Sequence, residues 1–268
     1  MNRFDRILAI PLIFFSLLVP AVILALVTQV SVNDLMKALF HPETFFALRF
    51  SLITSAIAMT VAIVIGIPSA YLISRNDFPL KGILETILEL PLVMPPLIVG
   101  VGLLFLLGQG MLGEPLAKLG VSFIFNPAGA VTAQAFIATP IVMKSARAAF
   151  SSVDRGYEEA AQTLGLNPLA VFYKVNIPLA SRSLVSGIVL AWARTMGEFG
   201  GTLMVAGATR FYTETLPIAV YLNISSGETG IAISCALVLL AAAFILLLVS
   251  RIFNRKGTGG NGERGAWY

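Results

Sequence analysis

Charge is scarce in this chain of 268 residues: Asp, Glu, Lys and Arg make up 12% of it, where soluble domains carry nearer a quarter. There is one cysteine, Cys235, so no disulfide or thiolate framework can form within one chain. There is one histidine, His41, which excludes a histidine-based metal cluster. No G-x-x-x-x-G-K-[ST] run occurs, so the chain does not hold ATP through that phosphate-cradling loop. Serines are plentiful, but the lone histidine sits beside Pro42 in a connecting segment, and no nucleophile–base constellation or catalytic site stands out. The formal charge of +4 on such an apolar chain is a membrane-topology signal and not a nucleic-acid footprint.

What fills the chain instead is hydrocarbon. Apolar residues make up 57% and the mean hydropathy is +0.88. Six stretches are long enough to cross about 30 Å of lipid as helices: Leu8–Val30, Phe50–Ile73, Ile83–Leu107, Ala128–Met143, Ser183–Ala206 and Ile231–Phe253. The fourth is short and the third has polar flanks. The predicted fold class is therefore all-α, a polytopic membrane protein with six transmembrane helices. Leu8–Val30 follows Arg3 and Arg6 as a signal peptide would. Its apolar run is too long for one and no small-residue cleavage site follows, so it reads as a retained span. With the N-terminus inside, only Lys37, Arg49, Lys118 and Arg210 fall on outer segments and Arg194 lies within a span. The rest of the 18 basic residues fall inside, which puts both termini in the cytoplasm. The Gly-rich tail after Phe253 is expected to be mobile. Inverted halves are not evident.

The longest polar interruption is 151–178, SSVDRGYEEAAQTLGLNPLAVFYKVNIP, which this orientation places in the cytoplasm. Ser151 and Asp154 have capping-box spacing. Tyr157, Ala160, Ala161 and Leu164 follow as one helical stripe. Gly165 stands where a left-handed cap would end that helix, and Asn167-Pro168 opens a second one that Pro178 ends or redirects. Alanines at the centre of the stripe let another backbone approach closely. Glu158 and Glu159 beside them are available to basic groups on a partner. The segment predicts a small helix–turn–helix docking knob.

Two spans carry unusual residues. Pro91, Pro95 and Pro96 interrupt the third, before Gly100 and Gly102, and predict a kinked helix that either faces a pathway or is a plain embedded bend. The fifth holds the only deeply placed charges, Arg194 and Glu198, four residues apart on one face. They either pair with each other or meet a substrate. Gly197, Gly200 and Gly201 offer a small-residue surface, and Thr195 and Thr202 add hydroxyls.

Glu159-Ala160-Ala161, Gly165 and Val175-Asn176-Ile177-Pro178 resemble the EAA motif of permease subunits in ATP-binding-cassette importers, E-A-A-x3-G-x9-I-x-L-P. The departures are Val175 for Ile and Ile177 for Leu. The run from Ala193 to Thr202, A-R-T-M-G-E-F-G-G-T, is similar to the fifth helix of molybdate, tungstate and sulfate permeases. Glu214 to Glu228 looks more like the molybdate/tungstate branch.

The resemblance covers nearly the whole chain. It implies a type I importer permease, with a first helix and outer loop over 1–47, a permease core over 48–253 and a tail over 254–268. It implies no cofactor in this chain, ATP and Mg on two copies of a partner ATPase, an extracytoplasmic binding protein and a second copy of the chain in the cell membrane. Glu158, Glu159, Ala160, Ala161, Leu164, Gly165 and Leu166 would couple to the ATPase. Pro95, Pro96, Arg194, Glu198, Gly201 and Thr202 would form the pathway or gate. Sulfate or thiosulfate is the alternative cargo. The competing class, a secondary ion-coupled anion carrier, would need further unpaired acids in the spans, and Glu198 is the one good candidate, Glu85 and Glu89 lying near a span's inner end.

Overall fold

The computed structural model describes residues 3–108 and 112–255, which are helical with no strand. The expected tail lies outside the described residues, except that the last helix runs on to Arg255. In chain order, α1 is Arg3–Thr28, α2 Val32–Leu39, α3 Pro42–Arg75, α4 Lys81–Val93, α5 Pro96–Leu107, α6 Gly113–Lys118 and α7 Pro127–Ser151. Then come α8 Arg155–Thr163, α9 Pro168–Val171, a π-helical turn Phe172–Asn176, α10 Ile177–Met196, α11 Gly200–Ala206, α12 Leu216–Ser225 and α13 Thr229–Arg255.

Among the described residues four helical stretches are long and apolar enough to cross a membrane: Ile7–Thr28, Pro42–Arg75, Pro168–Met196 and Thr229–Val249. The expected third span is a broken one. The chain bends by 110° between α4 and α5, which make a fifth crossing only when taken together. Two consecutive pre-proline positions explain the break: Met94 and Pro95 are each followed by proline, which disfavours helical backbone. Both are extended, with ψ of 135° and 131°.

The expected fourth span is the middle of a longer helix. α7 has 25 residues, about 37 Å, but carries Gln134, Lys144 and Arg147, and its sequence is not apolar enough to stand with the four. It lies inside the bundle, against α3, α10, α11 and α4. The expected fifth span is also broken: α10 stops at Met196 with Gly197 as its cap, and the chain re-enters helix at Gly200.

Alanine makes this packing close. Ala62, Ala70, Ala138, Ala146, Ala149, Ala180 and Ala191 are buried in one cluster between α3, α7 and α10. In lipid there is no hydrophobic drive between helices, and small side chains that let backbones approach take its place. At Gly66 a methyl group would stand 3.1 Å from Val142 Cγ1 and 3.3 Å from the Thr139 carbonyl oxygen, so the α3–α7 crossing is tight there and would have to give by a few tenths of an ångström to take one. The apolar stretch of α1 has none of its residues buried.

Candidate functional site

The polar segment folds as a hairpin of short helices at one end of the bundle. Asp154, not Ser151, is the cap of α8: its carboxylate accepts from the Gly156 N–H at 2.8 Å, while Ser151 is still in α7. The capping-box reading put the start three residues too early, because the long α7 helix runs straight into the polar segment. Gly165 has φ of +88°, the left-handed cap expected there. The Leu166 N–H reaches back to the Ala161 carbonyl and the Gly165 N–H to the Gln162 carbonyl. Asn167 caps α9 through the Ala170 N–H at 2.8 Å. Pro178 does not end the second helix. A π turn absorbs the register change, so α9 runs through it into α10, and Pro178 sits in the first turn of α10 where no N–H is needed.

The hairpin has two faces. Tyr157, Leu164, Leu169 and Tyr173 point outward, between 58% and 82% exposed, and Glu159 and Ala160 lie beside them in the open. Ala161 is buried, Leu166 half-buried, and Val171 and Phe172 are buried. Glu158 departs from expectation. It is not available to a partner, because Arg75 at the end of α3 forms an ion pair with it and Tyr71 Oη donates to its Oε2 at 3.4 Å. Spacing put Glu158 next to Glu159 on a surface helix. It could not show that the first of them turns inward, to a base 83 residues earlier.

The same guanidinium reaches further. Arg75 Nη2 donates to the Val153 carbonyl at 2.9 Å and to Asn176 Oδ1 at 3.3 Å, and Asn176 Nδ2 donates to Tyr71 Oη at 3.4 Å. Beneath it Tyr71 packs on Phe172 and Phe150, with ring centroids 4.7 and 5.4 Å apart. Sequence reasoning took Arg75 only as a topology charge.

The two broken helices meet at their breaks. A methyl at Gly200 would lie 3.0 Å from the Leu97 N and 3.2 Å from Pro96. One at Gly100 would lie 2.7 Å from Met204 Cβ and 2.9 Å from Gly201 Cα. Glu198, 1% exposed, accepts from the Gly201 N–H at 2.9 Å and so ties the break to the start of α11. Arg194 Nη1 stands 3.5 Å from Glu198 Oε2, and its side chain is half exposed. The residues proposed for the pathway thus divide. Pro96, Glu198, Gly201 and Thr202 form a joint inside the chain, with Pro96 at its edge, and Thr195 is buried there too, its hydroxyl donating to the Ala191 carbonyl. Pro95, Arg194 and Gly197 open on the surface. A guanidinium cannot be left facing lipid, so the side it opens on is wet or covered by protein.

At the other end of α3 a polar cluster went unforeseen, because the predicted span began at Phe50 and α3 begins at Pro42. Glu43, in the first turn of α3, is buried. Arg210 Nη1 donates to it at 3.0 Å, and Asn223 Nδ2 donates to its other oxygen. Arg210 Nη2 also reaches Ser226 Oγ at 3.0 Å. Glu214, buried beside them, accepts from the Phe211 N–H at 2.9 Å. Burial first, then Glu43, pushes the Glu214 carboxyl up to about 7. No local pattern could pair residues 43 and 210. Among the described residues no group of three or more His, Cys, Asp or Glu side chains could hold a metal.

Comparison with known proteins places this arrangement. Residues 62–258 match the family model described as "Binding-protein-dependent transport system inner membrane component". The "Molybdenum transport system permease protein ModB" of Escherichia coli K12 is 39% identical over 208 residues, 76% of this chain and 90% of that protein. The protein of the same name from Mycobacterium bovis is 37% identical over 207 residues, 76% and 78% of the two chains. In fold, the chain is similar to one in the crystal structure of a bacterial alginate ABC transporter in complex with its alginate pentasaccharide-bound periplasmic protein, with a TM-score of 0.72 at 14% identity over 95% and 98% of the two chains. The matched region takes in the α8–α9 hairpin and both broken helices, and the chain belongs to the family of inner membrane components of binding-protein-dependent transport systems.

Proposed function

We propose that this chain is the permease subunit of an ATP-driven importer whose cargo is a tetrahedral oxyanion, molybdate or tungstate. The observation that carries the reading is the outward apolar face of the α8–α9 hairpin, Tyr157, Ala160, Leu164, Leu169 and Tyr173, on a chain akin to permeases named for molybdenum. That face is the docking knob for a cytoplasmic ATPase, which holds the ATP and Mg. Glu159, Ala160, Leu164 and Gly165 present it, while Glu158, Ala161 and Leu166 seat it. Two copies of this chain and two ATPases make the assembly, with a binding protein capping the outer side. α7 is the sixth crossing, sheltered from lipid by its neighbours, and both termini are cytoplasmic. The first 47 residues add a helix and outer loop to a core spanning 48–253, and 254–268 form a tail.

The pathway runs where Arg194 opens, between the two copies. A dianion loses heavily on leaving water for a low-dielectric path unless donors meet it. Arg194 supplies one such donor, and its pairing with Glu198 keeps the attraction weak enough for release. Selectivity then rests with the binding protein, and the joint of Pro96, Glu198, Gly201 and Thr202, with Pro95 on the surface beside it, is where the path opens and closes.

Proteoliposomes carrying this chain, its ATPase and an oxyanion-binding protein should take up labelled molybdate or tungstate only when ATP is supplied on the ATPase side. Uptake driven by an ion gradient without ATP would overturn the reading, and preference for sulfate over both would move the cargo. Replacing Gly165 by valine, whose side chain disfavours φ near +88°, should abolish ATPase co-purification.

A further inference from the structure

The proposed knob would do nothing if it moved against the rest of the chain like a loose flap. The contacts at its base show how it is held. Beyond the aromatic packing, the polar tie between the hairpin and the transmembrane body runs through Tyr71 and Arg75 of α3, and Arg75 makes the ion pair and the contact that reaches furthest round the hairpin. Arg75 grips α8 through Glu158, the α7–α8 link through the Val153 carbonyl and the end of the π turn through Asn176. These are both ends of the hairpin, and Arg75 is the last residue of α3. The clamp is sheltered: the Arg75 and Glu158 side chains are 9% and 12% exposed, and Asn176 is fully buried.

From α3 the load has a continuous route. α3 lies against α7 along the alanine-lined crossing at Gly66. α7 in turn holds α4, the near arm of the broken helix, through Arg147–Glu85 at 3.0 Å and Lys144–Glu89 at 2.9 Å. None of the residues of α4 is buried. α4 thus meets α7 through two ion pairs, and α7 packs along α3.

We infer that Arg75 is a positioning residue of the transport cycle: it converts displacement of the α8–α9 hairpin into movement of α3, and through α7 into movement of the broken α4–α5 helix. This rests on the reading of the hairpin as an ATPase-docking element. The Arg75 side chain is 9% exposed, at the base of the hairpin and not on its outward face. Its loss leaves the outward face of the hairpin intact and slackens the hairpin's attachment to the bundle. A physical route of contacts is not by itself coupling, so the test measures coupling.

The full chain is assembled with its ATPase and binding protein in proteoliposomes, and cargo imported per ATP hydrolysed is compared for the natural chain, Arg75→Met, Arg75→Lys, Glu158→Gln and the Arg75→Met/Glu158→Gln double variant. Arg75→Met should still co-purify the ATPase and hydrolyse ATP, with cargo per ATP lowered by about fivefold or more. Arg75→Lys keeps the charge but cannot bridge three partners, and should restore the ratio in part. The double variant should be no worse than Arg75→Met, since both remove one contact. An unchanged ratio in Arg75→Met overturns the inference. If that variant fails to assemble, Glu158→Gln, nearly isosteric, decides in its place: a natural ratio overturns the inference and a lowered one sustains it. Failure of the natural chain to bind an ATPase would instead overturn the docking reading, an outcome scored before any variant is made.

Discussion

The two ends of α3 are fastened by clusters of opposite design. At the C-terminal end one base, Arg75, meets one acid, Glu158, and the remaining partners are neutral: a carbonyl, an amide and a phenol. At the N-terminal end one base, Arg210, serves two buried acids, Glu43 and Glu214. Both placements suit the helix dipole, with an acid in the first turn and a base in the last. The first cluster is balanced and ties α3 to a hairpin with an open face. The second has an acid too many, and pins α3 to the segment before α12. It follows that the second is a link whose strength depends on protons, through Glu214. The family match falls unevenly too: Arg75, Glu158 and Asn176 lie within 62–258, whereas Glu43 lies before it.

The largest effect should come from withdrawing the shared cation. Arg210→Met leaves Glu43 buried without its ion pair, and breaking such a pair costs about 3 kcal/mol or more. A marked drop in the thermal midpoint in detergent is expected at pH 8, and Glu43→Gln in the same chain should recover part of it, since the two substitutions are coupled. Arg75→Met should lower the midpoint less, because the Glu158 it abandons keeps Tyr71 and lies nearer the surface. Equal losses at the two ends would erase the distinction between balanced and unbalanced clusters.

Acidity gives the next test. Glu214 titrates at about 7 in the folded chain against an ordinary 4.5. Between those values the folded protein keeps a proton that the unfolded one gives up. The stabilisation is therefore full below about pH 4.5 and is lost as pH rises through about 7, with a slope approaching 1.4 kcal/mol per unit. Glu214→Gln, which holds the neutral shape at every pH, should flatten that slope. Glu158→Gln at the other end should leave it as it is. A thermal midpoint that does not fall between pH 5 and pH 7.5 would show that the second cluster is no proton-dependent link.

A substitution in neither cluster calibrates both. Gly100→Val drives a branched side chain into Met204 and the Gly201 backbone, an overpacking worth about 1–3 kcal/mol. Its cost should be the same at pH 5 and pH 7.5, in contrast to Arg210→Met. A pH-dependent loss at Gly100 would mean that the titrating group acts through the whole bundle and not at one end of α3.

The sequence made some of this legible and hid the rest for a physical reason. Caps and turns are written within a few residues. So Gly165 and Asn167 could be read directly, and so could the fact of a break at Pro95-Pro96, though not its 110° bend; the stripe on α8 divides, Tyr157 and Leu164 facing out and Ala161 in. The Arg194–Glu198 pair was visible because four residues on a helix share a face. What joins distant segments was not. Arg75 with Glu158, and Glu43 with Arg210, are set by how the helices pack, and hydropathy windows discard them as ends of spans. Hydropathy marked Ala128–Met143 but not the length of α7, Pro127–Ser151, or that Gln134 lies buried against the neighbouring helices while Lys144 and Arg147 reach the two acids of α4. The buried Glu198, Gly201 and Thr202 show the same limit: residue type placed them in one span, but only packing shows that they form an interior joint beside the surface that Arg194 faces.

The smallest predicted effect separates the hairpin from its anchor. Asp154 caps α8 through the Gly156 N–H and takes no part in the Arg75 contacts. Asp154→Ala should cost about 1 kcal/mol, and the loss should be local, because a cap stabilises only the first turn of its own helix. Hydrogen exchange should quicken in the amides at the start of α8, whereas those of the π turn, tied through Asn176 to Tyr71 and Arg75, should keep their protection. In Arg75→Met the pattern should spread to the π turn as well as α8. If both variants loosen the same amides to the same degree, the hairpin unfolds as one unit and the guanidinium is only another of its caps; if they differ, the clamp and the cap are distinct supports, one holding the helix together and the other holding it to α3.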